Sequence, residues 1–91
     1  MGNSIEIPIA NLLPFGRKGI VMKYYYINND QTRNPGLHHE VHTKEHAERL
    51  RISNKTYLGC FSSEVEAVHE GKKHFSDADG CAICCPRAHR G

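Results

Sequence analysis

The chain has no Trp, only three Phe and two Met, and a mean hydropathy of −0.58. Large apolar side chains supply most of the area a core removes from water, so their scarcity limits what burial can contribute. Ordering a backbone costs about 1.5 kcal/mol per residue once side chains are included. Over 91 residues that cost is barely offset by so thin an apolar content, and a further staple is expected. The length also excludes two full domains. Long hydrophobic runs are lacking as well: none approaches the ~18 residues needed to cross a bilayer, which excludes a membrane-spanning class. Charge of one sign is scarce too, with 12 Lys and Arg against 10 Asp and Glu, a net of +2. So small a surplus does not by itself define a nucleic-acid surface. Arg49, Arg51 and Lys55, and again Arg87 and Arg90, form small basic groupings that a solvated surface also explains.

The first fifteen residues carry Ile5, Ile7, Ile9, Leu12 and Leu13 but no basic leader, and Glu6, Pro8 and Pro14 interrupt them, a poor export signal. Glu6 stands where myristoylation of Gly2 would need Ser or Thr. A cytoplasmic protein is therefore expected. In a reducing compartment clustered cysteines act as metal ligands more often than as disulfides.

Local patterning outlines a strand-rich chain. Ile5, Ile7 and Ile9 alternate with polar residues, and Pro8 suits only an edge, so residues 1–19 are expected to form an N-terminal arm or edge strand. The run Ile20 to Ile27, β-branched and aromatic, predicts a strand. Asn28 to Gly36 is rich in Asn, Asp, Pro and Gly and reads as a loop. Thr43 as N-cap predicts a short helix to Leu50. Lys55 to Phe61 predicts a further strand, with Cys60 in the core. Ser63 and Glu66 match a capping box that opens a helix whose apolar positions would be Val65, Val68, the stem of Lys72 and Phe75. Asp77 to Gly80 reads as a turn. No internal repeat is present.

What the chain has in excess is Cys and His. Seven His and four Cys stand in 91 residues. Cys81-Ala82-Ile83-Cys84 is a C-x2-C pair after a turn, a spacing at which two thiolates bind one tetrahedral ion. The other half of such a site must come from the segment holding His38, His39, His42 and His46. His42 and His46 are four apart, so one helical turn would bring both imidazoles to one face. His42, His46, Cys81 and Cys84 then make a four-ligand Zn2+ set, with 34 residues between the pairs. Cys85, His39 and His89 are alternatives for individual positions, and which of Cys84 and Cys85 faces the ion stays open.

Three enzyme readings of the same letters fail. His42-Thr43-Lys44-Glu45-His46 matches the H-x-x-E-H zinc-protease motif, but a chain this short cannot enclose the substrate chamber. His46-Ala47-Glu48 with the C-x2-C pair mimics a zinc deaminase, yet Gly80 replaces the expected Pro and seven residues follow Cys84, too few for the remaining sheet. A thioredoxin-like redox pair would need a strand just before and a long helix just after.

Taken together, Tyr25-Tyr26-Ile27-Asn28-Asn29, Glu40-Val41-His42-Thr43, His46, Tyr57 to Ser63, Glu66-Ala67, Lys73 and Asp79 to Pro86 resemble a group of small bacterial proteins similar to the zinc-binding domain of the Ada DNA-repair protein. The resemblance covers about Tyr24 to His89, with residues 20–91 as the Ada-like domain. In those modules two ligands four apart precede a strand and a helix, and C-x2-C-x-Pro closes the site. His42, His46, Cys81, Cys84 and Pro86 match those positions, with His46 in place of the usual Cys. The resemblance implies a small zinc-stapled α+β domain with a short antiparallel sheet and one main helix. Ada-type repair moves a methyl group from a DNA phosphotriester to a zinc thiolate that four sulfurs make electron-rich. A His2Cys2 centre is neutral and its sulfurs are poorer nucleophiles, so the expected role is a structural site in a non-enzymatic module that recognises nucleic acid or protein. The alternative is a methyl acceptor of the Ada type.

Overall fold

The structure is a computed structural model that describes residues 21–33 and 36–91. The arm expected at residues 1–19 lies outside the described residues. In chain order the elements are β1 (Lys23–Asn28), β2 (Thr32–Arg33), β3 (Leu37–Thr43), α1 (Lys44–Arg49), β4 (Lys55–Phe61), α2 (Glu64–Gly71), β5 (Ala78–Gly80) and a 3-10 turn (Pro86–Ala88). The expected α+β class holds. Among the described residues the sheet has five strands, with β1 antiparallel to both β3 and β4. β2 runs antiparallel to the start of β3, whereas β5 lies parallel to its middle. The short helix expected after Thr43 and the main helix expected after Ser63 both form, as α1 and α2, α2 being the longer. No helix among the described residues is long and apolar enough to cross a membrane.

β4 spans the residues its pattern predicts, and β1 begins at Lys23 instead of Ile20, leaving Val21 and Met22 exposed. β2 falls inside the segment read as a loop. β3 has no strand signature because its buried residues, Val41, His42 and Thr43, are consecutive and two of them are polar. Pairing to β1, β2 and β5 supplies the reason to be extended that alternation does not. β5 was expected as a turn. Its three residues are all buried, and the parallel register His39 to Ala78, Glu40 to Asp79 and Val41 to Gly80 makes it a strand.

Both predicted caps form. The Thr43 hydroxyl accepts the His46 N–H at 3.3 Å, and the Ser63 hydroxyl accepts the Glu66 N–H at 3.1 Å. The second arm of the capping box is diverted, since the Glu66 carboxylate takes the Ser62 hydroxyl at 3.1 Å. α2 stops at Gly71, four residues before the expected Phe75, which leaves the helix and stacks on His39 at 3.8 Å between ring centroids.

The buried face of α2 is Ala67, Val68 and Gly71, whereas Val65 is 56% exposed. A Cβ on Gly71 would lie 3.1–3.3 Å from Val41, Ile27 and Ala78, so a small residue is what lets the helix sit against the sheet. A search for bulky apolar positions misses a face made this way. With Tyr25, Ile27, Leu58, Cys85 and Ala88 these residues complete a core in which small side chains are common. Cys60, expected inside, is exposed. β1 and β4 slip register between Tyr25 and Tyr26, so that Tyr25 faces Gly59, Tyr26 faces Tyr57, and Leu58 is the extra residue. A bulge reverses the alternation, which puts Cys60 beside Tyr24 on the outer face.

The two valines of α2 give a matched test. Val68→Ala is expected to lower unfolding free energy by about 1.5–3 kcal/mol, the worth of a buried valine, whereas Val65→Ala should stay within about 0.5 kcal/mol. Urea denaturation of the two variants measures the difference.

Candidate metal centre

The end of β3 is where three separate parts of the chain meet. His42 is the penultimate residue of the strand, and Thr43 is extended, with φ −66 and ψ 156, before α1 begins at Lys44. The two histidines therefore do not share a helix, as their spacing suggests, but stand on either side of a strand-to-helix corner. The corner still brings the rings together, 5.4 Å apart between centroids. From the other direction, the Cys81 N–H donates to the Val41 carbonyl at 3.0 Å, continuing the pairing of β5 past its end and placing Cys81 beside His42. A tight turn follows, closed by the Cys85 N–H on the Cys81 carbonyl at 2.8 Å, with Ile83 pointing outward. It returns Cys84 to the corner, where its sulfur accepts the Thr43 N–H at 3.4 Å.

The result is a cluster of His42, His46, Cys81 and Cys84 whose ligand atoms all lie within 4.8 Å of one another. His42, His46 and Cys81 are buried and Cys84 is partly buried. Cys81 Sγ is 3.6 Å from His46 Nδ1, and Cys84 Sγ is 3.8 Å from His42 Nδ1. An ion held tetrahedrally, with bonds of about 2.3 Å to sulfur and 2.0–2.1 Å to nitrogen, sets N···S edges of about 3.6 Å. The four donors are spaced to hold such an ion.

Around them the polar network favours ligation. His42 Nε2 lies 3.2 Å from the Glu40 carboxylate, and donating to that carboxylate turns the Nδ1 lone pair toward the sulfurs. Composition and spacing did not single out Glu40; the available signal was its place two residues before His42, on the same face of an extended strand. The Cys84 thiol is pulled down to about 3, first by the hydrogen bond from Cys85, then, against its burial, by His42, the Thr43 N–H and His46. Cys85 moves the opposite way, since it is the donor in that pair and is buried. Burial likewise raises Cys81, only partly opposed by backbone hydrogen bonds.

The alternative ligands are engaged elsewhere. Cys85 is fully buried in the core with its sulfur 3.8 Å from that of Cys84. His39 Nδ1 meets Asp77 Oδ1 at 2.5 Å and its ring lies on Phe75. His89 Nδ1 sits 3.1 Å from the Gly80 carbonyl and 3.4 Å from Asp79.

Fold and site together define a small α+β domain with a His2Cys2 cluster able to hold a metal ion. Compared with family models, with curated proteins and with solved structures, the chain finds no match.

Two outcomes follow from this geometry. Glu40→Gln should weaken metal affinity by about 10–100-fold, the usual cost of losing a carboxylate behind a ligating histidine, while His39→Asn should leave it unchanged; competition against a chromophoric chelator reads both. Affinity should also fall as pH drops. Cys81, raised by burial, holds its proton at neutral pH until the ion displaces it, so metal uptake releases protons, and acid opposes it. Calorimetry in buffers of different ionisation enthalpy measures that release.

Proposed function

We infer that this chain is a zinc-stapled recognition module, in which the ion is structural and an outer surface binds a macromolecule. The observation that carries this is the convergence of two imidazole nitrogens and two sulfurs at one buried corner. Mixed nitrogen and sulfur donors in tetrahedral spacing suit zinc above other common divalent ions. Four protein ligands close the shell and leave no position for a substrate or water, the arrangement of structural rather than hydrolytic sites. The location fits that role. The corner ties β3 to α1 and to the C-terminal turn, three pieces for which a core rich in alanine supplies little other cohesion.

The resemblance to Ada-like modules supports the same reading, since His42, His46, Cys81, Cys84 and Pro86 match their closing motif. It also raises the methyl-acceptor alternative, against which the surroundings of the sulfurs count. Cys81 is 5% exposed, and the sulfur of Cys84 is enclosed by the Thr43 N–H, Cys85 and His42. A DNA phosphotriester would have to reach one of them in line. Intact-mass analysis after incubation with methyl-phosphotriester DNA separates the two readings, a methylated cysteine favouring the acceptor.

For the structural reading, elemental analysis of native protein should give one zinc per chain, and chelation should collapse the amide dispersion of its NMR spectrum. Much less than one zinc, with dispersion unchanged by chelator, would sink it.

A further inference from the structure

On the outer face of the sheet three tyrosines stand together, and among the described residues no layer covers them. Tyr24 and Tyr57 are 51% and 50% exposed, and Tyr26 is partly exposed. Their rings form a row, with Tyr57 5.2 Å from Tyr26 and 6.4 Å from Tyr24 between centroids, tilted at 55° and 40°. The bulge that turns Leu58 inward is what aligns Tyr57 with the other two. With Lys44 they line a shallow cleft of about 210 Å³. A second lysine, Lys55, holds its ammonium 5.3 Å from the centre of the Tyr26 ring.

The segment beside this cleft carries a basic excess. Between Lys44 and Lys55 the chain carries four basic residues and two acidic ones, an excess equal to the net charge of the whole protein, +2. One of the acids, Glu48, pairs with Lys44 at 3.0 Å through two exposed side chains. Such an exposed pair is worth little and exchanges readily for a phosphate. Lys55 donates to the Ile52 carbonyl at 2.7 Å and keeps two further donors. Arg49, the last residue of α1, and Arg51, in the connection to β4, are exposed.

We propose that this tyrosine cleft binds single-stranded nucleic acid, stacking unpaired bases on Tyr24, Tyr57 and Tyr26 while Lys44 and Lys55 meet the phosphates. Aromatic rings on an open sheet with flanking cations are what unpaired bases recognise. In a duplex both faces of each base are already stacked, so this surface discriminates against it. The proposal rests on the recognition-module reading and names its partner. It also ties the cleft to the metal centre, because Tyr26 pairs directly with His42 across β1 and β3.

The test uses the zinc-loaded full chain and fluorescein-labelled oligothymidine of about 12 nucleotides, within the range of known single-strand sites. Polarisation at low salt reports binding. With no Trp and three of the four Tyr in the cleft, quenching of intrinsic tyrosine emission reports where. Tyr57→Ala is expected to weaken binding about tenfold, the scale of one lost base stack, while Tyr57→Phe retains it. Lys55→Ala should lower the slope of log affinity against log salt by about one. A duplex of equal length should bind at least tenfold more weakly. Zinc content and amide spectra are measured on every variant, so that loss of the metal, which would overturn the module reading, is distinguished from loss of the cleft. Absence of single-strand binding by zinc-loaded protein, duplex binding of equal strength, or full binding by a folded Tyr57→Ala and Tyr24→Ala pair would each overturn the proposal.

Discussion

The hydrogen bond from the Cys81 N–H to the Val41 carbonyl joins the C-terminal turn to the centre of the sheet, and the arrangement of the site depends on it. Val41 pairs with Ile27 on β1 and with Gly80 on β5, so any donor placed one residue past β5 comes to lie beside His42. Four lone-pair donors are thereby held within 4.8 Å at a largely buried corner. Without an ion such an assembly is unfavourable, because polar groups give up hydration and gain only weak contacts to sulfur. Binding one ion would convert that cost into cohesion. The thin core makes the conversion matter, since Ala67, Ala78 and Ala88 bury little area.

The metal centre and the tyrosine cleft are two consequences of one register. Residues opposite one another in an antiparallel pair share a face, so Tyr26 and His42 lie on the same side of the sheet. The helix that follows the corner then carries His46 toward the sulfurs and Lys44 toward the tyrosines. The opposite face of the sheet is occupied by α2, which approaches closely because Gly71 has no side chain. One side of the sheet thus packs into the core, and the other carries the tyrosine cleft.

Several features were legible in the letters because their causes are local. Thr43 and Ser63 cap helices because a hydroxyl reaches an N–H three residues on, whatever the tertiary context. β4 reads from its own β-branched and aromatic residues. Cys81 and Cys84 are held close by a short turn, and thiolate and imidazole are donor types that suit a metal ion. Other features were illegible for equally physical reasons. β3 hides its strand character behind buried polar side chains, and β5 is too short to show a period. The outward position of Cys60 is not legible either, because a bulge, which has no signature in a single strand, inverts the alternation after Tyr57. The buried face of α2 does not show in the letters, because close approach selects small residues over large ones.

Sequence alone determined the inventory: an α+β chain short of core, an excess of Cys and His, and a donor set in which His42, His46, Cys81 and Cys84 were the natural members. Only tertiary structure decided which donors meet. His39 and His89 differ from His42 in no local property, yet one is stacked on Phe75 and the other bonded to the Gly80 carbonyl. The distinction is made by long-range pairing, above all of β5 with β3. The free energy of that pairing belongs to the contact between segments and to neither segment's own sequence.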